Sequence, residues 1–177
     1  SDFKPGCVQY EYVFKRVQEG HTLEASFAKD RHVLRVESEV EAVTPSPGVH
    51  DFEHGDEVDV TATTPILTDA DERGRWVCAG WGGGGDIPQA GTGISMRVTM
   101  RVDSWVKWKW GREFKLELRA NEGGHVDAEP GWVRAGRELR VSAVAEPGYR
   151  FVGWTGDLPE EDNTKKEVVL TMEDRKS

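Results

Sequence analysis

The densest set of side chains able to do chemistry lies between residues 50 and 56. His50 and His54 stand there beside Asp51, Glu53 and Asp56. Imidazole and carboxylate groups at such density are the usual material of a metal site. Zinc, however, takes Cys or His from a fixed frame at set spacing, and calcium takes a loop with Asp, Asn and Gly in a defined order. Neither order is present, so the cluster reads as a solvated turn and no metal ligand is assigned. The run Gly82-Gly83-Gly84-Gly85-Asp86 has the glycine content of a phosphate cradle. It lacks the following Gly-Lys-Ser/Thr and a helix to present its N-terminus, and reads as a loop. His21, His32 and His125 are scattered. The only carboxylates shared by two similar contexts are Asp86 and Asp157, which read as turn formers. Cys78 sits in an apolar, strand-like run, away from any activating helix terminus. No nucleophile, acid–base pair or cofactor cradle emerges, so the chain is expected to be no enzyme and to need no cofactor.

Two further groups bear on binding. Cys7 and Cys78 are too far apart in sequence for a CxxC metal or redox motif. They either form a disulfide in an oxidising compartment or serve as small buried hydrophobes. In Trp105-Val106-Lys107-Trp108-Lys109-Trp110, strand alternation places Val106, Trp108 and Trp110 on one face. Trp105, Lys107 and Lys109 share the other. The first face reads as core. The second would form a ligand platform if Trp105 stands exposed beside Lys107.

The elements that must position these residues are strands. Alternation of period two recurs at 10–14, 23–27, 32–36, 57–63, 94–100, 106–110, 114–118, 138–144 and 167–172, and no stretch carries helical spacing with caps. Turn residues punctuate the runs at Pro45–Gly48, Asn121–Gly124 and Glu146–Gly148. The expected class is all-β.

One phrase occurs twice. Pro47-Gly48, then Gly55 through Ala62, Gly80-Trp81 and Val98-Thr99-Met100 is matched in order by Pro130-Gly131, Gly136 through Ala143, Gly153-Trp154 and Leu170-Thr171-Met172. Such self-similarity marks an array of small modules, each of about 70 to 80 residues, near the lower limit for an independent core. Residues 17–27 match the strand that closes the central copy, with Leu23, Ala25 and Phe27 standing where Val106, Trp108 and Trp110 stand. The expected division is therefore a C-terminal piece of one repeat (1–29), a complete central repeat (30–111), and a third repeat without its closing strand (112–177). The segment Thr63–Arg75 is longer than its counterpart Val144–Tyr149 and should form an extra loop. Trp81, Trp154, Trp108, Trp110, Phe27 and Phe151 are the expected core aromatics, the glycines before Trp81 and Trp154 allowing a neighbouring strand to come close.

Composition bounds the partners. The 177 residues carry a formal charge of −9, with 32 Asp and Glu against 23 Lys and Arg. An acidic surface disfavours nucleic acid, which needs a basic stripe, and adhesion to anionic membranes. No apolar run reaches spanning length, so no membrane insertion is expected. The pattern begins in mid-repeat, so the lack of a leader says nothing of a parent protein.

The third repeat, with Gly123-Gly124-His125-Val126, Pro130-Gly131-Trp132 and Gly148-Tyr149-Arg150-Phe151-Val152-Gly153-Trp154, resembles the divergent InlB B-repeat. The central copy looks like a sister variant, and the first 29 residues look like the C-terminal half of another. The resemblance implies tandem β-grasp-like modules, or small sandwiches, in an elongated extracellular or cell-surface array with structural or adhesive roles and no catalytic residues. The expected partners are adjacent modules or other copies of the chain. Val17, Leu23, Ala25 and Phe27 are candidates for an assembly strand that completes the third repeat of another copy and so builds a filament. Carbohydrate binding through Trp105, or binding of a host or cell-surface protein through the loop Thr63–Gly74, are the alternatives.

Overall fold

The computed structural model describes residues 8–16, 18–68, 72–158 and 160–173. Among them, alternation becomes strand almost wherever a partner strand is within reach. The elements are β1 (Arg31–Glu37), β2 (Val43–Thr44), β3 (Gly48–Glu53), β4 (Glu57–Ala62), β5 (Ile66–Leu67), β6 (Gly74–Gly84) and β7 (Ala90–Gly91). They continue with β8 (Ser95–Thr99), β9 (Ser104–Leu116), β10 (Gly124–Asp127), β11 (Gly131–Arg134), β12 (Glu138–Ala145) and β13 (Glu167–Thr171). One 3-10 turn covers Glu160–Asp162. The fold is all-β.

Three sheets result. The first runs β3-β1-β9-β6-β5, with β7 beside the end of β6 and β11 beside the far half of β9. The second is β2-β4-β8 and the third β10-β12-β13. The β1–β9 pair is parallel, Leu34 opposite Ser104 and Val36 opposite Val106. The remaining pairs are antiparallel.

The main core forms where the first two sheets face each other. Leu34, Val36, Val106, Trp108 and Trp81 come from the first sheet, and Val43, Val58, Val60, Ala62 and Val98 from the second, with Met100 and Ile87 joining from loops. Trp81 meets Trp108 edge to face at 5.7 Å between centroids, a favoured aromatic geometry. Neither buried indole N–H finds a partner, at about 1–3 kcal/mol each. Burying roughly 150–250 Å² per tryptophan outweighs that, at about 25 cal/mol per Å². Trp110 is half-buried against this cluster and donates from Nε1 to Ser38 Oγ at 2.9 Å.

The duplicated phrase is duplicated in hydrogen bonds. Gly55 N donates to Met100 O at 2.7 Å, and Gly136 N donates to Met172 O at 2.8 Å. Ala62 N to Ile94 O and Ala143 N to Lys166 O are both 2.8 Å, as are His54 N to Asp30 O and Ala135 N to Arg112 O. Gly48 and Gly131 share φ 140°. The turn glycines and the alternating strands therefore fix one local scaffold twice. Its two settings meet on β9, which spans both and crosses the boundary expected at 111/112.

Several expectations need correction. Residues 10–14 and 23–27 form no strand, and Phe27, expected in the core, is 90% exposed. Leu23 and Ala25 are exposed as well. The reason is the absence of any paired strand against these segments among the described residues; alternation alone cannot hold a strand. Val17 lies outside the described residues. Gly82–Gly84, expected as loop, is the end of β6 because β9 pairs with it, Gly84 opposite Trp105. The extra segment after Thr63 holds the short strand β5, with Ile66 opposite Trp76. Trp154 and Phe151 are half-buried rather than core.

Candidate functional site

Two surfaces stand out among the described residues, and β9 builds both. Its inward row, Val106 and Trp108, closes the central core. Its outward row, Trp105, Lys107 and Lys109, is exposed. Beyond Arg112 the same strand opens the C-terminal unit, pairing Phe114 with Val133 and Leu116 with Gly131. On its other side Gly74 stands opposite Phe114, and Lys115 N donates to Arg73 O at 2.9 Å. Among the described residues no strand pairs with 116–119 on that side. The corresponding edge of β1, Leu34–Glu37, is where β9 lies in the central unit.

The consequence appears in the tryptophans. Trp81 packs on Trp108 of β9, whereas Trp154 packs on its own neighbour Phe151, with centroids 5.2 Å apart, and donates from Nε1 to Lys165 O at 2.8 Å. Residues 150–155, counterpart of β6, form no strand. Val152 and Tyr149 are 78% and 53% exposed. Among the described residues of the C-terminal unit, Val133, Val141 and Val168 are the buried hydrophobics, and a groove of about 260 Å³ remains beside Leu116, Trp132, Val133 and Leu139.

The outer face belongs to the central unit. Lys107 pairs with Glu37 at 3.4 Å, both ends largely exposed, and Trp105 is 46% exposed. Trp105 and Lys107 are thus both exposed on the outward row of β9.

The remaining candidates resolve into structural duties. His54 Nδ1 lies 3.0 Å from His32 Nε2, and His50 Nε2 lies 2.7 Å from Ser46 O. Asp56 Oδ2 accepts from Glu53 N at 2.9 Å, closing the β3–β4 turn. Among the described residues no three His, Cys, Asp or Glu groups are placed to hold a metal. The His32–His54 contact joins residues 22 apart in sequence, and only the β1–β3 register could have shown it.

Asp86 accepts from the backbone N–H of Arg101 at 2.6 Å and of Val102 at 2.9 Å. Desolvation raises its pKa, but these two hydrogen bonds, with Arg101 and His32 nearby, outweigh it and hold the carboxyl below the usual range. The carboxylate therefore ties the turn before β9. Cys78 is a half-buried free thiol at the bulge between Cys78 and Gly80; Gly80 N donates to its sulfur at 3.4 Å. Its expected partner Cys7 lies outside the described residues. No helix among the described residues is long and apolar enough to cross a membrane.

Comparison with known proteins adds one finding. Residues 114–177 match the model of the divergent InlB B-repeat domain, a family of repeats found in bacterial surface proteins and typically structural. No curated protein and no solved structure matches the chain.

Proposed function

We propose that the chain is a structural, adhesive segment of a bacterial extracellular protein, built of β-repeats that share strands. The observation that carries this is β9, one continuous strand that closes the central unit and opens the next. A shared strand couples neighbouring units more stiffly than a flexible linker does. The junction is reinforced by Arg75, which bonds Glu113 at 2.6 Å and lies 4.2 Å over the Trp132 ring. Stiff coupling suits a stalk or fibre that transmits force or holds a binding face away from a cell.

The finer part of the proposal concerns assembly. The unpaired side of Leu116 at the end of β9, with the irregular residues 117–119 after it, and the irregular segment 150–155 flank the place that β9 fills in the central unit. An added strand there would gain main-chain hydrogen bonds on both sides. Leu23, Ala25 and Phe27 form an exposed apolar stripe of the spacing that Val106, Trp108 and Trp110 use. Donation of this stripe to the C-terminal unit of another copy is a heterologous contact, and such contacts propagate into filaments.

Light scattering and electron microscopy of the 177-residue chain test the proposal. Filaments or concentration-dependent oligomers are expected, and deletion of residues 1–29 should leave monomers. Assemblies that survive the deletion would sink strand donation and leave the shared-strand array standing.

A further inference from the structure

The outer face of the first sheet carries a tryptophan laid over glycine. Val49, Arg35, Trp105 and Gly84 stand in one hydrogen-bonded row across four strands. Gly84 leaves room that a side chain would take: a Cβ there would lie 2.5 Å from Trp105 Nε1 and 3.1 Å from Cε2. The indole reaches on toward Gly82, where a Cβ would lie 4.0 Å from Cη2 and 3.9 Å from Lys109 Cε. The ring edge and the lysine stem therefore both approach Gly82. Lys107 stands directly opposite that glycine.

Covering a glycine-lined strand with an aromatic ring is useful to the sheet by itself. That role does not call for cations. Yet Arg35, Lys107 and Lys109 surround this ring in a chain of net charge −9. Among the described residues Arg35 and Lys109 make no ion pair, and the Lys107–Glu37 pair is exposed. Exposed pairs of this kind are weak, so an incoming carboxylate can replace Glu37. A flat aromatic ring on a rigid strand, rimmed by cations, is complementary to a ligand that presents an apolar face and a negative edge.

We propose that this face binds an acidic polysaccharide. The C–H face of a uronic acid unit rests on the Trp105 ring, and its carboxylate meets Lys107 and Lys109. Arg35, on the other flank of the ring, takes the next negative unit of the polymer. The site lies wholly within the central unit, so it stands or falls independently of filament assembly.

Affinity electrophoresis of the 177-residue chain in gels containing polygalacturonate tests this, with neutral dextran gels and a single-stranded oligodeoxynucleotide as competing probes. Retardation by polygalacturonate alone is expected. Trp105→Leu and the double variant Lys107→Gln, Lys109→Gln should each weaken it at least tenfold. The lysine variant alters only exposed charges, so an unchanged thermal midpoint will show that it is folded. Lack of retardation, wild-type retardation of the lysine variant, or equal binding of dextran or oligonucleotide would each overturn the proposal.

Discussion

The central and C-terminal units hold equivalent strand pairs, β4–β8 and β12–β13, with the same flanking hydrogen bonds, yet the hydrophobic core lies almost wholly in the first. The central unit has Val106 and Trp108 delivered by a distant strand that lies parallel to β1. The C-terminal unit has no such strand among the described residues, and its counterpart of β6 stays irregular. Turn chemistry is local and is satisfied in both. The core is non-local and is satisfied in one. The parallel closing strand is therefore what converts this scaffold into a packed unit.

The sharpest way to break that comparison is to remove the ring that β9 supplies. Trp108 is 3% exposed. Trp108→Ala should cost about 3–5 kcal/mol, as buried aromatic truncations do. Trp154→Ala, at the repeated position but half-buried, should cost about 1–2 kcal/mol. Urea unfolding of both variants measures the gap. Equal costs would mean that the C-terminal unit is packed as well as the central one.

Amide exchange offers the next largest contrast without mutation. Protection follows local stability. Amides of β4 and β8 should exchange about 100-fold more slowly than those of β12 and β13, a difference of about 2.7 kcal/mol. If strand donation occurs, raising the protein concentration should narrow that ratio, because assembly stabilises the C-terminal unit by mass action.

How much of this was visible in the sequence depends on range. The turns at Gly48 and Gly131, the alternation of β4 and β12, and the inward row of β9 are set by residues within one turn or one strand, and alternation with turn residues reveals them. The state of Leu23–Phe27 was not visible, since the same alternation describes a strand with a partner and a segment without one. The extension of β6 through Gly84 was hidden because glycine reads as loop until β9 is known to pair with it. Trp105 was legible as an outward residue, but its position over Gly84 depends on a register that the bulge between Cys78 and Gly80 sets.

The two glycines preceding the tryptophans give a smaller contrast. Gly80 has φ 111°, and a Cβ there would meet Gly91 O at 2.1 Å. The obstacle is backbone in a paired strand, so it cannot swing aside. Gly153 has φ 155°, and its nearest obstacle is Asn163 O at 3.0 Å. Gly80→Ala should destabilise the chain by about 2 kcal/mol or more, and Gly153→Ala by roughly half as much. Thermal unfolding of the pair checks the order. A reversed order would show that the approach of β7 to β6 is softer than the geometry implies.

The smallest effect concerns Asp86, which ties the turn that launches β9. Its carboxyl is held below the usual range by the Arg101 and Val102 N–H groups despite opposing desolvation. A folded-state pKa below the unfolded value of about 3.9 means that the unfolded chain takes up the proton first as pH falls. The stabilisation from Asp86 is therefore complete above the unfolded pKa and disappears as pH drops through the folded one. Asp86→Asn should lower the thermal midpoint slightly at pH 7, and wild type and variant should converge as the pH falls through the folded-state pKa. A constant difference across that range would show that Asp86 acts through shape rather than charge. Convergence would show that the charge on one loop carboxylate helps deliver the closing strand that distinguishes the two units.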